Sequence, residues 1–155
     1  MGTSPASPDE LDRIEAQIDS YLAKELREND VVLAVDRAES AIRRWYVRLK
    51  GEEKDFITVW LTMHQRTLQY ETYVLPAPEE NHARFYEHLL RRNLGFNGVA
   101  FAIGAEDGVF LRGQIPVDSA TEGELDRILG SLYAYVEQCF RPALHIAFES
   151  RFAPN

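Results

Sequence analysis

The chain has 155 residues, 45% of them hydrophobic, and a net charge of −8. That length suits one domain with a sizeable core, and the acidic balance argues against a phosphate-binding surface for nucleic acid. Cys139 is the only cysteine, so an intramolecular disulfide is excluded and a reducing, cytoplasmic setting is expected.

No apolar run approaches the roughly 20 residues of a membrane span. Residues 1–8 read as a flexible tail, with neither the basic start nor the apolar stretch of a signal peptide. Charge is uneven along the chain. Residues 1–30 carry eight acids against Arg13, Lys24 and Arg27, whereas residues 37–50 carry Arg37, Arg43, Arg44, Arg48 and Lys50 against Glu39 alone. Complementarity within the molecule accounts for this pattern, and a partner site is the alternative.

The first helix is predicted at 8–28. Ser7-Pro8-Asp9-Glu10 forms a capping box, and Leu11, Ile14, Ile18, Tyr21, Leu22 and Leu26 follow at helical spacing. Val31–Val35 is a strand or a buried connector. Three strands follow as a meander. Residues 45–49 alternate Trp/Val/Leu with Tyr/Arg. Residues 56–63 place Ile57, Val59, Leu61 and Met63 on one face and Phe56, Thr58, Trp60 and Thr62 on the other. Residues 68–75 complete the set. Pro76 and Pro78 interrupt the sheet.

A second helix is predicted at 79–93, opened by Glu79 and Glu80 and closed by Arg91 and Arg92. A hairpin turning at Asp107-Gly108 joins residues 99–103 to 109–115. Its small residues Ala100, Ala102, Gly104 and Gly113 leave room for a close neighbour or a ligand. The last helix starts at Thr121 and carries Leu125, Ile128, Leu129, Leu132, Val136 and Phe140 as its stripe. Pro142 is expected to end or kink it. The reading is an α+β domain over 9–142 with a C-terminal tail, 143–155, that holds at most a short helix. The order is α-β(β)-β-β-α-β-β-α around an antiparallel sheet of five or six strands.

Catalytic signatures are missing. His64, His82, His88 and His145 show no metal-ligand spacing, so neither a metal nor a cofactor is expected. Cys139 lies in the last helix's apolar stripe and reads as a packing thiol. Gly95-Phe96-Asn97-Gly98 leads into a strand rather than a helix N-terminus, so it is no phosphate loop. No enzyme activity is expected. Glu71, in the middle of a strand, reads as a solvent-face residue, with an ion-paired or partner-binding role as the alternative.

Several segments carry a family resemblance in their order and spacing: Gln65-Arg66-Thr67-Leu68, Val74–Asn81, Leu89-Leu90-Arg91-Arg92-Asn93, Phe101-Ala102-Ile103, Leu111-Arg112-Gly113 and Glu124–Ile128. Over roughly residues 43–140 the chain resembles the YbjN-like family of bacterial sensory transduction regulators. That family is similar in fold to type III secretion chaperones, with a twisted antiparallel sheet, packed helices and frequent dimerisation. The resemblance implies a non-catalytic regulatory or chaperone-like homodimer that binds a partner polypeptide. It implies no catalytic residues. A small-molecule sensor or carrier, with a pocket between sheet and helices, is the alternative. The meander is richer in aromatics than a three-strand sheet with one wet face needs. Trp45, Trp60, Tyr70 and Tyr73, with Glu71 and Arg66, are therefore the candidate partner contacts. Core packing or a dimer interface is the competing role for the aromatics.

Overall fold

A computed structural model of the chain describes residues 4–153. Helix α1 spans Pro8–Glu28. Strands β1 (Val32–Arg37), β2 (Arg43–Lys50), β3 (Phe56–Met63) and β4 (Thr67–Leu75) follow. Then come α2 (His82–Asn93), β5 (Ala100–Ile103), β6 (Val109–Pro116), α3 (Glu122–Ala147) and the short α4 (Glu149–Phe152).

The strands form one antiparallel sheet in the order β1-β2-β3-β4-β6-β5. The first four strands are a meander, and the β5–β6 hairpin joins it through β6. The connector at Val31–Val35 thus resolves as an edge strand. Among the described residues, β1 pairs only with β2, and β5, at the other edge, only with β6.

Strand alternation divides the sheet. Trp45, Val47 and Leu49 on β2, Ile57, Val59 and Leu61 on β3, Leu68 and Tyr70 on β4, and Val109 and Leu111 on β6 are all buried in one core with the helices. α1 contributes Leu11, Ile14, Ile18, Tyr21 and Leu22 to that core. Each such side chain, fully buried, is worth about 1.5–3 kcal/mol, which outweighs the marginal stability of an isolated helix. α3 adds Leu125, Ile128, Leu132 and Val136. Among the described residues, no helix covers the opposite face of the sheet.

The helix N-termini form as their sequences dictate. The Ser7 hydroxyl accepts from the Glu10 amide at 3.2 Å, and the Ser7 amide donates to Glu10 at 3.5 Å. Thr121 caps α3 by accepting from the Glu124 amide. The tail expected at residues 1–8 lies outside the described residues at 1–3. By Ala6 the chain is tethered, the Ala6 amide donating to the Gln65 carbonyl at 2.8 Å.

Two helix boundaries differ from expectation for tertiary reasons. α2 begins at His82 rather than Glu79. The amides of Glu79 and Glu80 both donate to the Ala147 carbonyl, and Asn81, in a left-handed conformation, donates from Nδ2 to the Ile146 carbonyl. The segment therefore closes the C-terminal end of α3, whose last carbonyls have no partner within the helix. Glu79 and Glu80 also hold Arg151 and Ser150 of α4. α3, in turn, runs through Pro142 to Ala147. An internal proline costs about 3 kcal/mol, but Ala143 and Ala147 are fully buried beyond it and Phe148 nearly so, and this packing holds the last turn in place.

Candidate binding face

The uneven charge finds its explanation in the geometry of β2. Arg43 points toward α1, where it pairs with Asp12 at 3.0 Å and Glu15 at 3.3 Å. Arg37 on β1 pairs with Glu15 and Asp19. Trp45 Nε1 donates to Asp19 Oδ1 at 2.7 Å, and the Arg37 guanidinium lies 4.5 Å over the Trp45 ring. The acids of α1 thus clamp the basic residues of the neighbouring strands. Arg44, Arg48 and Lys50, each offset by an odd number of residues from Arg43 or Trp45, take the other side.

That other side is the open face. One cross-strand row runs over all six strands as Asp36, Tyr46, Trp60, Glu71, Arg112 and Ala100. The next row places Arg48 beside Thr58 and, further across the sheet, Tyr73 beside Phe110. Trp60 is 40%, Phe56 44% and Tyr73 43% exposed. Their rings are braced by neighbours: Tyr46 meets Trp60 edge-on at 5.2 Å, Phe110 meets Tyr73 at 5.5 Å, and Arg48 covers Phe56 at 3.9 Å. Between them lies a cleft of about 280 Å³ lined by aromatic rings, Arg48, Lys54 and Glu71. Lys54 reaches in from the β2–β3 turn, donating to the Phe56 carbonyl at 3.0 Å. Burial pushes its ammonium pKa down, against the opposing pull of Asp55 and Glu137.

The candidate contacts separate accordingly. Trp60, Tyr73 and Glu71 share the open face. Glu71 faces Arg112 at 3.9 Å, a loose pair. Trp45 and Tyr70 do not join them: they are 0% and 1% exposed, and the Tyr70 hydroxyl donates to the Gly98 carbonyl at 2.9 Å. Their even-numbered offset from the core positions of the same strands puts them under the helices, where the aromatic surplus of the sequence becomes core. Arg66 lies in the β3–β4 turn, and its carbonyl accepts from the Val117 amide. Phe56, Phe110, Arg48 and Lys54 also line the cleft and lie outside the set of candidate contacts read from the sequence. The alternation of residues 56–63 already put Phe56 beside Trp60. Phe110 and Lys54 reach the cleft only through the β4–β6 pairing and the β2–β3 turn.

A second apolar surface lies at the β5 edge. A groove of about 300 Å³ between α2 and β5 is lined by Tyr86, Leu89, Leu90, Phe101 and Ile103. Leu90 and Leu94 at the end of α2 and Ile103 on β5 are largely exposed. The small residues of the hairpin do not frame a common cavity. A Cβ on Gly104 would lie 2.6 Å from the Phe110 ring, and one on Gly113 only 2.0 Å from the Gly98 carbonyl oxygen. Protein atoms already occupy that space.

Among the described residues no cluster of three or more His, Cys, Asp or Glu side chains is arranged for a metal ion. Cys139 is buried in α3, and burial pushes its thiol pKa up, with Arg92 acting weakly in the opposite sense. A thiol in that setting is a poor nucleophile. No helix of the described residues is long and apolar enough to cross a membrane.

The fold, an antiparallel six-stranded sheet with helices on one face, is similar to that of a type III secretion chaperone. The Yersinia pestis chaperone SycH, solved in complex with a stable fragment of YscM2, superimposes with a TM-score of 0.53 at 16% identity, over 81% of this chain and 98% of that one. The chain belongs to the YbjN family, described as "Putative bacterial sensory transduction regulator", whose model matches residues 11–144. It is 33% identical over 104 residues to the uncharacterized protein Rv0487 of Mycobacterium tuberculosis and 30% identical over 107 residues to ML2442 of Mycobacterium leprae. These matches cover 67% and 69% of this chain but 57% and 58% of those relatives, so the chain spans less than two thirds of their length.

Proposed function

We propose that this is a non-catalytic regulatory or chaperone-like protein that holds a partner polypeptide on the open face of its sheet and works as a homodimer. The observation that carries the reading is the exposed aromatic set, Phe56, Trp60 and Tyr73, on a face that no described helix covers. A sheet face turned only to water is expected to be polar, whereas exposed aromatics in a braced, rigid setting are favoured contact residues. The SycH structure, which holds a fragment of another protein, supports a polypeptide as the ligand. The α2–β5 groove supports the dimer. It joins exposed leucines to an unpaired strand edge, a combination that a second copy would cover.

The test is site-specific photocrosslinking in the native host. A photoreactive residue replaces Trp60 in one variant and Lys24, on α1, in another. Discrete protein adducts from position 60 and none from position 24 are expected. Equal adducts from both positions, or none from position 60, refute the reading.

A further inference from the structure

The basic stretch 37–50 is split by strand alternation into two halves with different fates. Arg37 and Arg43 are matched by acids of α1. The half on the open face is not. Arg44 is satisfied by the Thr62 hydroxyl at 2.9 Å, and Arg112 faces Glu71 loosely at 3.9 Å. Arg48 rests on the Phe56 ring, and Lys54 donates to a backbone carbonyl. The paired strands place four cations (Arg44, Arg48, Lys50, Arg112) against two acids (Asp36, Glu71) on this face, in a chain whose net charge is −8. The paired strands of this face thus carry net positive charge on an acidic protein, and the aromatic cleft at their centre has Asp55 and Glu106 near its Lys54 and Tyr73.

The dimensions narrow the occupant. At about 280 Å³ the cleft falls just short of the roughly 300–1,000 Å³ of small-molecule sites, and it suits one large side chain of a longer ligand. The rings are poorly placed for nucleobases. Stacking platforms need free ring faces, but Arg48 lies 3.9 Å over Phe56, Arg44 lies 5.3 Å over Trp60, and Tyr46 abuts Trp60 edge-on. These stacked guanidiniums still present their N–H edges to a carboxylate.

We propose that the open face selects an acidic, aromatic-bearing polypeptide segment: an aromatic side chain of the partner enters between Trp60, Tyr73 and Phe110, and a carboxylate next to it is met by Arg48 and Lys54. This rests on the polypeptide-binding reading above and specifies the chemistry of the partner. A carboxylate at the rim gives Arg48 an acidic partner that the described residues do not supply and adds to the longer-range pull of Asp55 and Glu137 on Lys54, and Glu71 sets the register by repelling a second acid on the Arg112 side. Long-range attraction from the positive strands also steers such a segment away from the acidic remainder of the surface.

Three fluorescein-labelled peptides of alternating sequence, Asp/Phe, Ser/Phe and Lys/Phe, and a labelled oligo-dT, are titrated with the full chain by fluorescence anisotropy. The Asp/Phe peptide is expected to bind about tenfold tighter than Ser/Phe, a difference of about 1.4 kcal/mol, with Lys/Phe weaker still. The double change Arg48→Gln, Lys54→Gln is expected to remove that preference while leaving Ser/Phe binding in place, and Trp60→Ser to weaken all three peptides. Lys24→Gln on α1 serves as the charge control, and circular dichroism confirms that each variant folds. Equal affinity for the three peptides, with loss in Trp60→Ser, overturns the acidic selectivity and leaves polypeptide binding standing. If no peptide binds, both fall. Tighter binding of oligo-dT than of the Asp/Phe peptide overturns the proposal in favour of a nucleic-acid ligand.

Discussion

Adding one methyl group at Gly113 should cost the fold far more than adding the same group at Gly130. In β6, an ideal Cβ on Gly113 would lie 2.0 Å from the Gly98 carbonyl oxygen and 2.8 Å from the Tyr70 ring. The first neighbour is backbone, held by the Tyr70 hydroxyl bond to that same oxygen, and cannot swing away as a side-chain end would. Overpacking costs about 1–3 kcal/mol, and losing the Tyr70 hydrogen bond adds about 1 kcal/mol. Gly113→Ala is therefore expected to destabilise by about 2–4 kcal/mol. Gly130, in the middle of α3, has open space where a Cβ would stand, with nothing within 4 Å, so Gly130→Ala gains the helix propensity of alanine, about 0.8–1 kcal/mol. The assay is equilibrium urea unfolding followed by tryptophan fluorescence, with stabilities compared at constant slope. If Gly113→Ala unfolds at the wild-type midpoint, the close approach of the 95–98 connection to β6 is wrong. If Gly130→Ala lowers the midpoint, the open-space argument for α3 is wrong.

Leu90→Glu and Ile103→Lys, both at exposed positions of the α2–β5 groove, should each convert a dimer to a monomer in light scattering with little change in circular dichroism; a wild-type monomer at all concentrations would remove the dimer from the proposed function. His88 on α2 has a buried, unpartnered Nε2, and burial together with Arg92 lowers its pKa from the ordinary 6.5. Because the folded-state value is the lower one, the unfolded chain takes up the proton first as pH falls. The histidine's contribution is thus fully present above its unfolded pKa, declines below about 6.5, and is constant again beneath the folded value. His88→Gln should flatten this acid-side loss in urea midpoints measured from about pH 7.5 to about pH 5, and parallel profiles for the two proteins would show that His88 is not its source.

The helices and strands were legible because their signals are local. Ser7 and Glu10 satisfy each other's backbone three residues apart, and Ile57, Val59 and Leu61 declare a buried strand face by alternation alone. Period two also held the information that Arg43 and Arg44 point to opposite sides of β2. What local pattern lacks is the identity of the side that the helices cover. Trp45 and Trp60 look alike as strand aromatics, yet one is buried against Asp19 of α1 and the other stands exposed beside Tyr46. Only the docking of α1 and α3 distinguishes them. The same holds for Pro142 and Glu79. Local propensity places a helix end at the first and a helix start at the second, but buried packing beyond Pro142 and the unpaired carbonyls at the end of α3 override both.

By itself, then, the sequence determined the caps, the alternation, the acid–base asymmetry and the family, because each depends on residues close in the chain or on their order. The tertiary structure decided which aromatics are core and which are surface. It also joined β6 to β4, bringing Phe110 beside Tyr73, and left Arg48 with no acid in contact among the described residues, where Arg43 has two. The physical reason is that burial and charge pairing belong to the surface an element meets, and that surface is set by segments tens of residues away.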